Sequence, residues 1–249
     1  MKKFSWYFRF IKRFINRYLK DRRHWSLHKQ QLLSVNSLEE FHNYIKKNKY
    51  DTFYKYKDKS NEKREDFKAV IDYLEIDLKG QNFLDIGPAY GDSLDICYEG
   101  GAKSIDFLEF DPFFFTFNRL KPFTKGYNRN HFHELKTLEH GKYSLIWIKG
   151  AFSADRFIKM KLVLSLSAWL ANLELLASPL AKIIICPYWS NDNCVRRIEN
   201  VYTNYFTRIM LHNGYKALPL IKNHNDDLGY PITFYKDLAN SFAISDNKI

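Results

Sequence analysis

The chain has 249 residues, 45% of them hydrophobic, enough to bury a substantial core and suited to one full α/β domain with an appendage rather than two equal domains. Its three cysteines, Cys97, Cys186 and Cys194, form no Cys-x-x-Cys pair and are odd in number, so neither a disulfide framework nor a cysteine zinc site is indicated, and a reducing compartment fits. The net charge of +11 is unevenly placed: residues 1–30 hold ten Lys or Arg against the single acid Asp21, a local +9 that leaves +2 for the other 219 residues. The basic balance therefore describes the N-terminal arm and not the rest of the chain.

Within that arm Phe4, Tyr7, Phe8, Ile11, Phe14, Ile15 and Tyr18 recur at three- and four-residue spacing, with Arg9, Lys12, Arg13, Arg17 and Lys20 on the other side, which predicts a basic amphipathic helix. Charges interrupt the apolar stretch too early for a secretory signal, so the segment is expected to stay in the mature protein. One reading lays it in the headgroup plane of an anionic membrane, where each Lys or Arg is worth roughly 1 kcal/mol. Docking on a protein partner or on the chain's own core is a second reading, and nucleic acid a third, less favoured one.

Ser37-Leu38-Glu39-Glu40 has capping-box spacing ahead of a short helix, and the polar stretch from Lys46 to Lys59 is expected to be a linker. This divides the chain into an arm (1–35), a short helix and linker (36–59) and a main domain (60–249). Glu62 to Leu78 carries Phe67, Val70, Ile71 and Leu74 on one helical face. Strands and helices then alternate: strand 82–86, helix 92–99, strand 104–109, helix 113–121, a strand near 131–135, strand 143–148, helix 155–177, strand 181–186 and helix 192–212. Two last strands, 215–221 and 232–235, are spaced to pair as an antiparallel hairpin. The expected fold class is α/β: a Rossmann-like, doubly wound, mostly parallel seven-stranded sheet closed by that hairpin. The apolar run from Leu162 to Cys186 is broken by Asn172, Glu174, Pro179 and Lys182, so it reads as a core helix and a buried strand, not a membrane span.

The candidate site lies where the first strand, Asn82 to Ile86, runs through Asp85 into the turn Gly87-Pro88-Ala89-Tyr90-Gly91 and on into a helix. Glycines at such a turn allow left-handed backbone and close ligand approach. The second strand ends on Glu109, 22 positions after Gly87, where a βαβ nucleotide site needs an acceptor for ribose hydroxyls. Asp85 has an alternative reading as a cap for the helix starting at Asp92, and Glu109 as a solvated strand end. An NAD site is the nearest rival, but its Gly-x-Gly-x-x-Gly turn is absent here.

With these motifs in place, residues 79–236 resemble a class I S-adenosylmethionine-dependent methyltransferase, with Phe83-Leu84-Asp85-Ile86-Gly87-Pro88-Ala89-Tyr90-Gly91 as the first motif and Glu109 as the second. The stretch from Asp85 to Ser93, with Gly101-Ala102-Lys103 and Glu109, is similar to the FkbM-like group, many of which modify sugars or glycolipids. The chain departs from that group after the fourth strand, where Trp147 and Lys149 replace acids. The resemblance implies S-adenosylmethionine as cofactor, with Asp85, Gly87, Pro88, Ala89 and Gly91 along its methionine part and Glu109 on its ribose. Phe110 would cover the adenine, with Glu134 and Leu135 at the adenine's edge.

Methyl transfer to a hydroxyl needs alignment, exclusion of water and a base. Candidate bases are His131, His133, Asp155 and His224, and candidate acceptor-binding residues are Lys149, Tyr188 and Trp189. His131 with His133, and His24 with His28, have metal-compatible spacing but no third ligand, so no metal is expected. The expected role is O-methylation of a glycan or lipid-linked sugar by a cytoplasmic enzyme held peripherally at the inner membrane face through residues 1–30. An RNA methyltransferase, or an inactive scaffold that recruits a partner through the arm, are the alternatives.

Overall fold

In a computed structural model of the chain, the described residues are 29–48, 61–128, 135–153, 165–188, 206–218 and 233–239. The chain divides into two compact units, Met1–Asp51 and Thr52–Ile249. The basic helix read in residues 4–20 lies outside the described residues.

In the first unit, helix α1 (Leu38–Lys47) starts as its capping box predicts: the Ser37 hydroxyl accepts from the Glu40 amide at 3.1 Å, and the Glu40 carboxylate accepts from the Asn36 amide at 2.8 Å. The first bond satisfies one of the helix's orphan N-terminal donors, and the second reaches back one residue beyond the N-cap to hold the entering chain. Phe41 and Ile45, one turn apart, are both buried.

The second unit holds helix α2 (Asn61–Tyr73), strand β1 (Asn82–Ile86), α3 (Asp92–Glu99), β2 (Ser104–Leu108), α4 (Pro112–Arg119), β3 (Lys125–Tyr127), a 3₁₀ turn (Leu135–Thr137), β4 (Tyr143–Ser153), α5 (Ser165–Leu176), β5 (Ala177–Tyr188), a helical stretch at 206–212, β6 (Lys216–Leu218) and β7 (Thr233–Asp237). The seven strands form one sheet in the order β3-β2-β1-β4-β5-β7-β6. Strands β1 to β5 pair in parallel, while β7 runs antiparallel to both β5 and β6. This is the expected Rossmann-like sheet with its closing antiparallel pair. The order reverses between β1 and β4, which makes the carboxyl end of β1 the topological switch point, the place where open α/β sheets bind ligands.

One element is displaced from its expected position. The third strand is Lys125–Tyr127, and Leu135, expected at the end of that strand, belongs to the 3₁₀ turn instead. Parallel register with β2 (Asp106 to Lys125, Leu108 to Tyr127) selects the earlier segment. Strand β5 starts directly after α5, and its register with β4 jumps from Tyr143–Ala177 to Leu145–Lys182. Residues 178–181 therefore leave the ladder, which accommodates Pro179, a residue with no N–H to donate.

One cluster of buried residues joins Leu84, Ile86, Leu108, Ile146, Ile148, Ile183 and Ile185 from the sheet with Leu166, Trp169, Leu170 and Leu173 of α5. Each fully buried aliphatic side chain of this kind contributes roughly 1.5–3 kcal/mol. Alternate strand residues point the other way, where Phe67 of α2 lies edge-on to Trp147 at 4.8 Å and tilted against Phe83 at 5.8 Å. With helices on both faces, the sheet leaves its carboxyl edge for chemistry. Among the described residues no helix is long and apolar enough to cross a membrane.

Candidate functional site

The turn after β1 alternates between ordinary and left-handed backbone: φ is +81° at Gly87, +51° at Ala89 and +75° at Gly91. Left-handed backbone costs a residue with a Cβ roughly 1–2 kcal/mol, so Ala89 must be held there. Its amide donates to Glu109 Oε2 at 3.4 Å, and its carbonyl accepts from Asn118 Nδ2 at 2.7 Å. At the start of the turn the Gly87 amide donates to the Leu108 carbonyl at 2.9 Å, tying the tip of β1 to the tip of β2.

Gly91 is the N-cap of α3. A Cβ there would lie 2.0 Å from Asn118 Oδ1 and 2.8 Å from Lys121 Nζ. The missing side chain thus makes room for Asn118 and Lys121, and not for a ligand, as the sequence suggested.

Asp85 is 1% exposed and accepts a short hydrogen bond from the Ser93 hydroxyl. It therefore reaches the first turn of α3 through a side chain, whereas the N-cap itself makes no side-chain bond. The contact closes the base of the loop, since Asp85 precedes the turn and Ser93 follows it. Burial, and secondarily the nearby Asp85 charge, push the Cys97 thiol well up, so Cys97 is packing and not a nucleophile.

Glu109 is 8% exposed. Its Oε1 accepts from the Asp111 amide at 2.8 Å and its Oε2 from the Ala89 amide at 3.4 Å. Burial pushes its carboxyl up to about 7, and the backbone donors offset this only in part. A carboxylate offers about four lone-pair positions; the amides of Asp111, Ala89 and Phe110 all act on this one, the Ala89 contact being long at 3.4 Å, so acceptor capacity remains for a ligand hydroxyl. The residues present thus fit the ribose of the implied cofactor. Asp111 caps α4, accepting from the Phe113 amide at 2.8 Å, and burial raises its carboxyl to about 6. Phe110, between the two acids, is 56% exposed, which leaves its ring on the outside of the β2 tip.

Along the same carboxyl edge, Lys149 of β4 forms an ion pair with Asp66 of α2. In the next strand, buried Cys186 sits in register with Lys149 and lies 3.3 Å from the Thr233 hydroxyl at the start of β7. Burial raises the Cys186 thiol to about 11 against the opposing pull of Thr233 and Lys149, which keeps it protonated at neutral pH. Tyr188 pairs with Ser153 at the end of β5. Leu135, expected at the adenine's edge, is 2% exposed and belongs to the hydrophobic core. The candidate bases His131, His133, Asp155 and His224, together with Glu134 and Trp189, lie outside the described residues. Among the described residues no group of three or more His, Cys, Asp and Glu could hold a metal ion.

Asn118 and Lys121 were not singled out from the sequence. The signal available was a lone amide side chain in a helix rich in aromatics, Pro112-Phe-Phe-Phe-Thr-Phe-Asn118, and the structure buries it fully.

No protein-family model and no curated protein matches the chain. Solved structures similar to it include a sarcosine dimethylglycine methyltransferase from Galdieria sulphuraria, at 18% identity over 51% of this chain and 47% of that one, TM-score 0.41. Magnesium protoporphyrin IX methyltransferase from Synechocystis PCC 6803 with bound S-adenosylhomocysteine is similar at 13% identity over 70% of this chain and 82% of that one, TM-score 0.48. A protein from Methanococcus maripaludis described as an S-adenosyl-L-methionine-dependent methyltransferase is similar at 14% identity over 81% of this chain and 94% of that one, TM-score 0.45. The match spans about half the length of the Galdieria protein. The order and register of the sheet carry the fold.

Proposed function

We propose that the chain is an S-adenosylmethionine-dependent methyltransferase. The observation that carries this reading is Glu109: a buried carboxylate at the tip of β2, beside the glycine turn at the switch point, with acceptor positions to spare. When bound, the cofactor supplies a methyl group activated on a sulfonium. The chain's own residues bind and orient it: Glu109 holds the ribose hydroxyls, the turn 87–91 lies along the methionine part, and Phe110 covers the adenine. The acceptor in this reading is a hydroxyl of a glycan or lipid-linked sugar at the inner membrane face. The +9 arm ahead of a nearly neutral remainder supports that placement.

Calorimetric titration with S-adenosylmethionine, S-adenosylhomocysteine and NAD tests the cofactor. Binding of the first two and not of NAD is expected, and absence of both would defeat the enzyme reading. Deleting residues 1–30 should abolish sedimentation with vesicles containing phosphatidylserine. Retained sedimentation would sink the membrane placement, and steeply salt-dependent RNA binding would favour the RNA methyltransferase instead.

One observation favours a non-catalytic scaffold as the second reading. Within β4, Lys149, one of the two residues that stand in place of acids, is already paired with Asp66. Cofactor binding without methyl transfer to any glycan, lipid or RNA acceptor would support it.

A further inference from the structure

The glycine turn is gripped from a second direction by the end of α4. Asn118, fully buried, donates through Nδ2 to the Ala89 carbonyl at 2.7 Å and to the Phe114 carbonyl of its own helix at 3.0 Å. Those two acceptors fix which end of the amide is which. Lys121, whose side chain is 10% exposed, places Nζ 3.4 Å from the Tyr90 carbonyl and 3.1 Å from the Gly91 carbonyl. The same ammonium pairs with both oxygens of Asp95 on α3, at 2.8 and 2.9 Å. Three successive carbonyls of the turn are thus held by two side chains, and the Tyr90 ring rests edge-on against Phe114 at 5.0 Å.

The direction of this grip matters because the peptide unit is planar and trans. Holding the carbonyls of Ala89 and Gly91 toward Asn118 and Lys121 turns the next amides, of Tyr90 and Asp92, to the opposite side. A Cβ at Gly91 would strike Asn118 and Lys121, so its absence is what lets these two side chains close on the turn. Helix α4 also starts beside Glu109, through Asp111. One eight-residue helix therefore connects the ribose acid at its first turn to the glycine turn at its last.

We infer that Asn118 and Lys121 are positioning residues, which set the peptide orientations of the turn 87–91 for the amino-acid part of the cofactor and lock that turn to α3 through Asp95. This rests on the methyltransferase reading. Its specific consequence is a division of labour: Lys121 governs affinity for the amino-acid part of the ligand, and Glu109 affinity for the ribose.

The test compares two ligands by calorimetry, S-adenosylhomocysteine and 5′-deoxy-5′-methylthioadenosine, which shares the nucleoside but lacks the amino-acid end. Lys121→Met should weaken S-adenosylhomocysteine about tenfold, the scale of one lost hydrogen bond to a charged group. It should change methylthioadenosine less than about twofold, within the small effect expected where no bond is lost. Lys121→Arg should restore part of the loss. Unchanged S-adenosylhomocysteine affinity in a natively folded Lys121→Met overturns the inference, and so does equal weakening of both ligands, the signature of a merely structural role. Should Lys121→Met fail to show a native circular dichroism spectrum, Asp95→Asn replaces it, with a smaller loss in the same ligand-selective pattern expected and no selectivity overturning the inference. Wild-type protein that binds neither ligand defeats the methyltransferase reading itself, a result separable from the others.

Discussion

Strand β2 and its tip carry two buried acids only three positions apart, Asp106 and Glu109, and they are treated in opposite ways. Asp106, 2% exposed, receives Lys142 Nζ at 2.7 Å, the Tyr143 hydroxyl at 2.9 Å and the Tyr127 hydroxyl at 3.3 Å, all on one oxygen. The Tyr143 phenol is pushed well up, by burial first and then by Asp106, so it stays a donor. Glu109 at the strand tip receives backbone amides alone among the described contacts, one of them long, and is held near pH 7. A charge that the fold itself compensates is structural, whereas one left short of donors is suited to a ligand that brings them. Asp106 joins β2 to β3 and β4; the described contacts of the Glu109 carboxylate are backbone amides of its own strand tip and of the glycine turn.

The largest effect should come from breaking the compensated acid. Asp106→Ala leaves Lys142 and two phenols without their acceptor and is expected to cost about 3–4 kcal/mol in urea unfolding, toward the lower end for a pair whose lysine is partly exposed. Affinity for S-adenosylhomocysteine should survive in the fraction that remains folded. A loss under about 1 kcal/mol would show that the cluster contributes no more than a surface pair.

Glu109→Gln should invert that pattern. At pH 8 the unliganded protein should gain about 2 kcal/mol, because a carboxylate raised to about 7 is a folding liability once ionised. S-adenosylhomocysteine binding should weaken roughly 10- to 100-fold, the value of one or two hydrogen bonds to a charged acceptor. Full-strength binding by this variant would remove Glu109 from the ribose.

The pH dependence sharpens the contrast. Between its ordinary value of 4.5 and about 7, folded Glu109 keeps a proton that the unfolded chain has released. Its contribution to unliganded stability is therefore greatest below that window and is lost as pH rises through about 7, and Asp111, raised to about 6, acts in the same direction. Cofactor affinity runs the other way, falling by up to about tenfold per unit below pH 7 as the carboxylate takes up its proton. Thermal scans and calorimetry across pH 5–8 would show two opposed slopes, and parallel slopes would contradict the assignment. The smallest effect belongs to Ala89→Gly, which relieves left-handed strain and should stabilise the fold by no more than about 1 kcal/mol.

Much of this was legible beforehand because it depends on residue type and position. Strands β1 and β2 announce themselves as apolar runs ending near an acid, and Asp85 and Glu109 stand out because a carboxylate at a strand tip is chemically marked. Strand β3 escapes a reading of the sequence because Lys125-Gly126-Tyr127 is three residues long with a glycine at its centre, too short for a period-2 pattern. Asn118 and Lys121 escaped because they act on backbone carbonyls, which every residue possesses, so nothing in the turn's own sequence names its partners. Lys149 was read as open to an acceptor because its neutralising Asp66 lies 83 positions away, on a helix whose approach is set only by packing.

The shortness that hid β3 also limits how the sheet can grow. Among the described residues both margins, β3 and β6, are three-residue strands carrying an exposed lysine, Lys125 and Lys216. A long, flat margin would offer another chain a row of backbone groups to pair with, and these offer little more than a single pairing beside a positive charge. Among the described residues, then, neither margin presents the long bare edge by which copies of a chain join side by side.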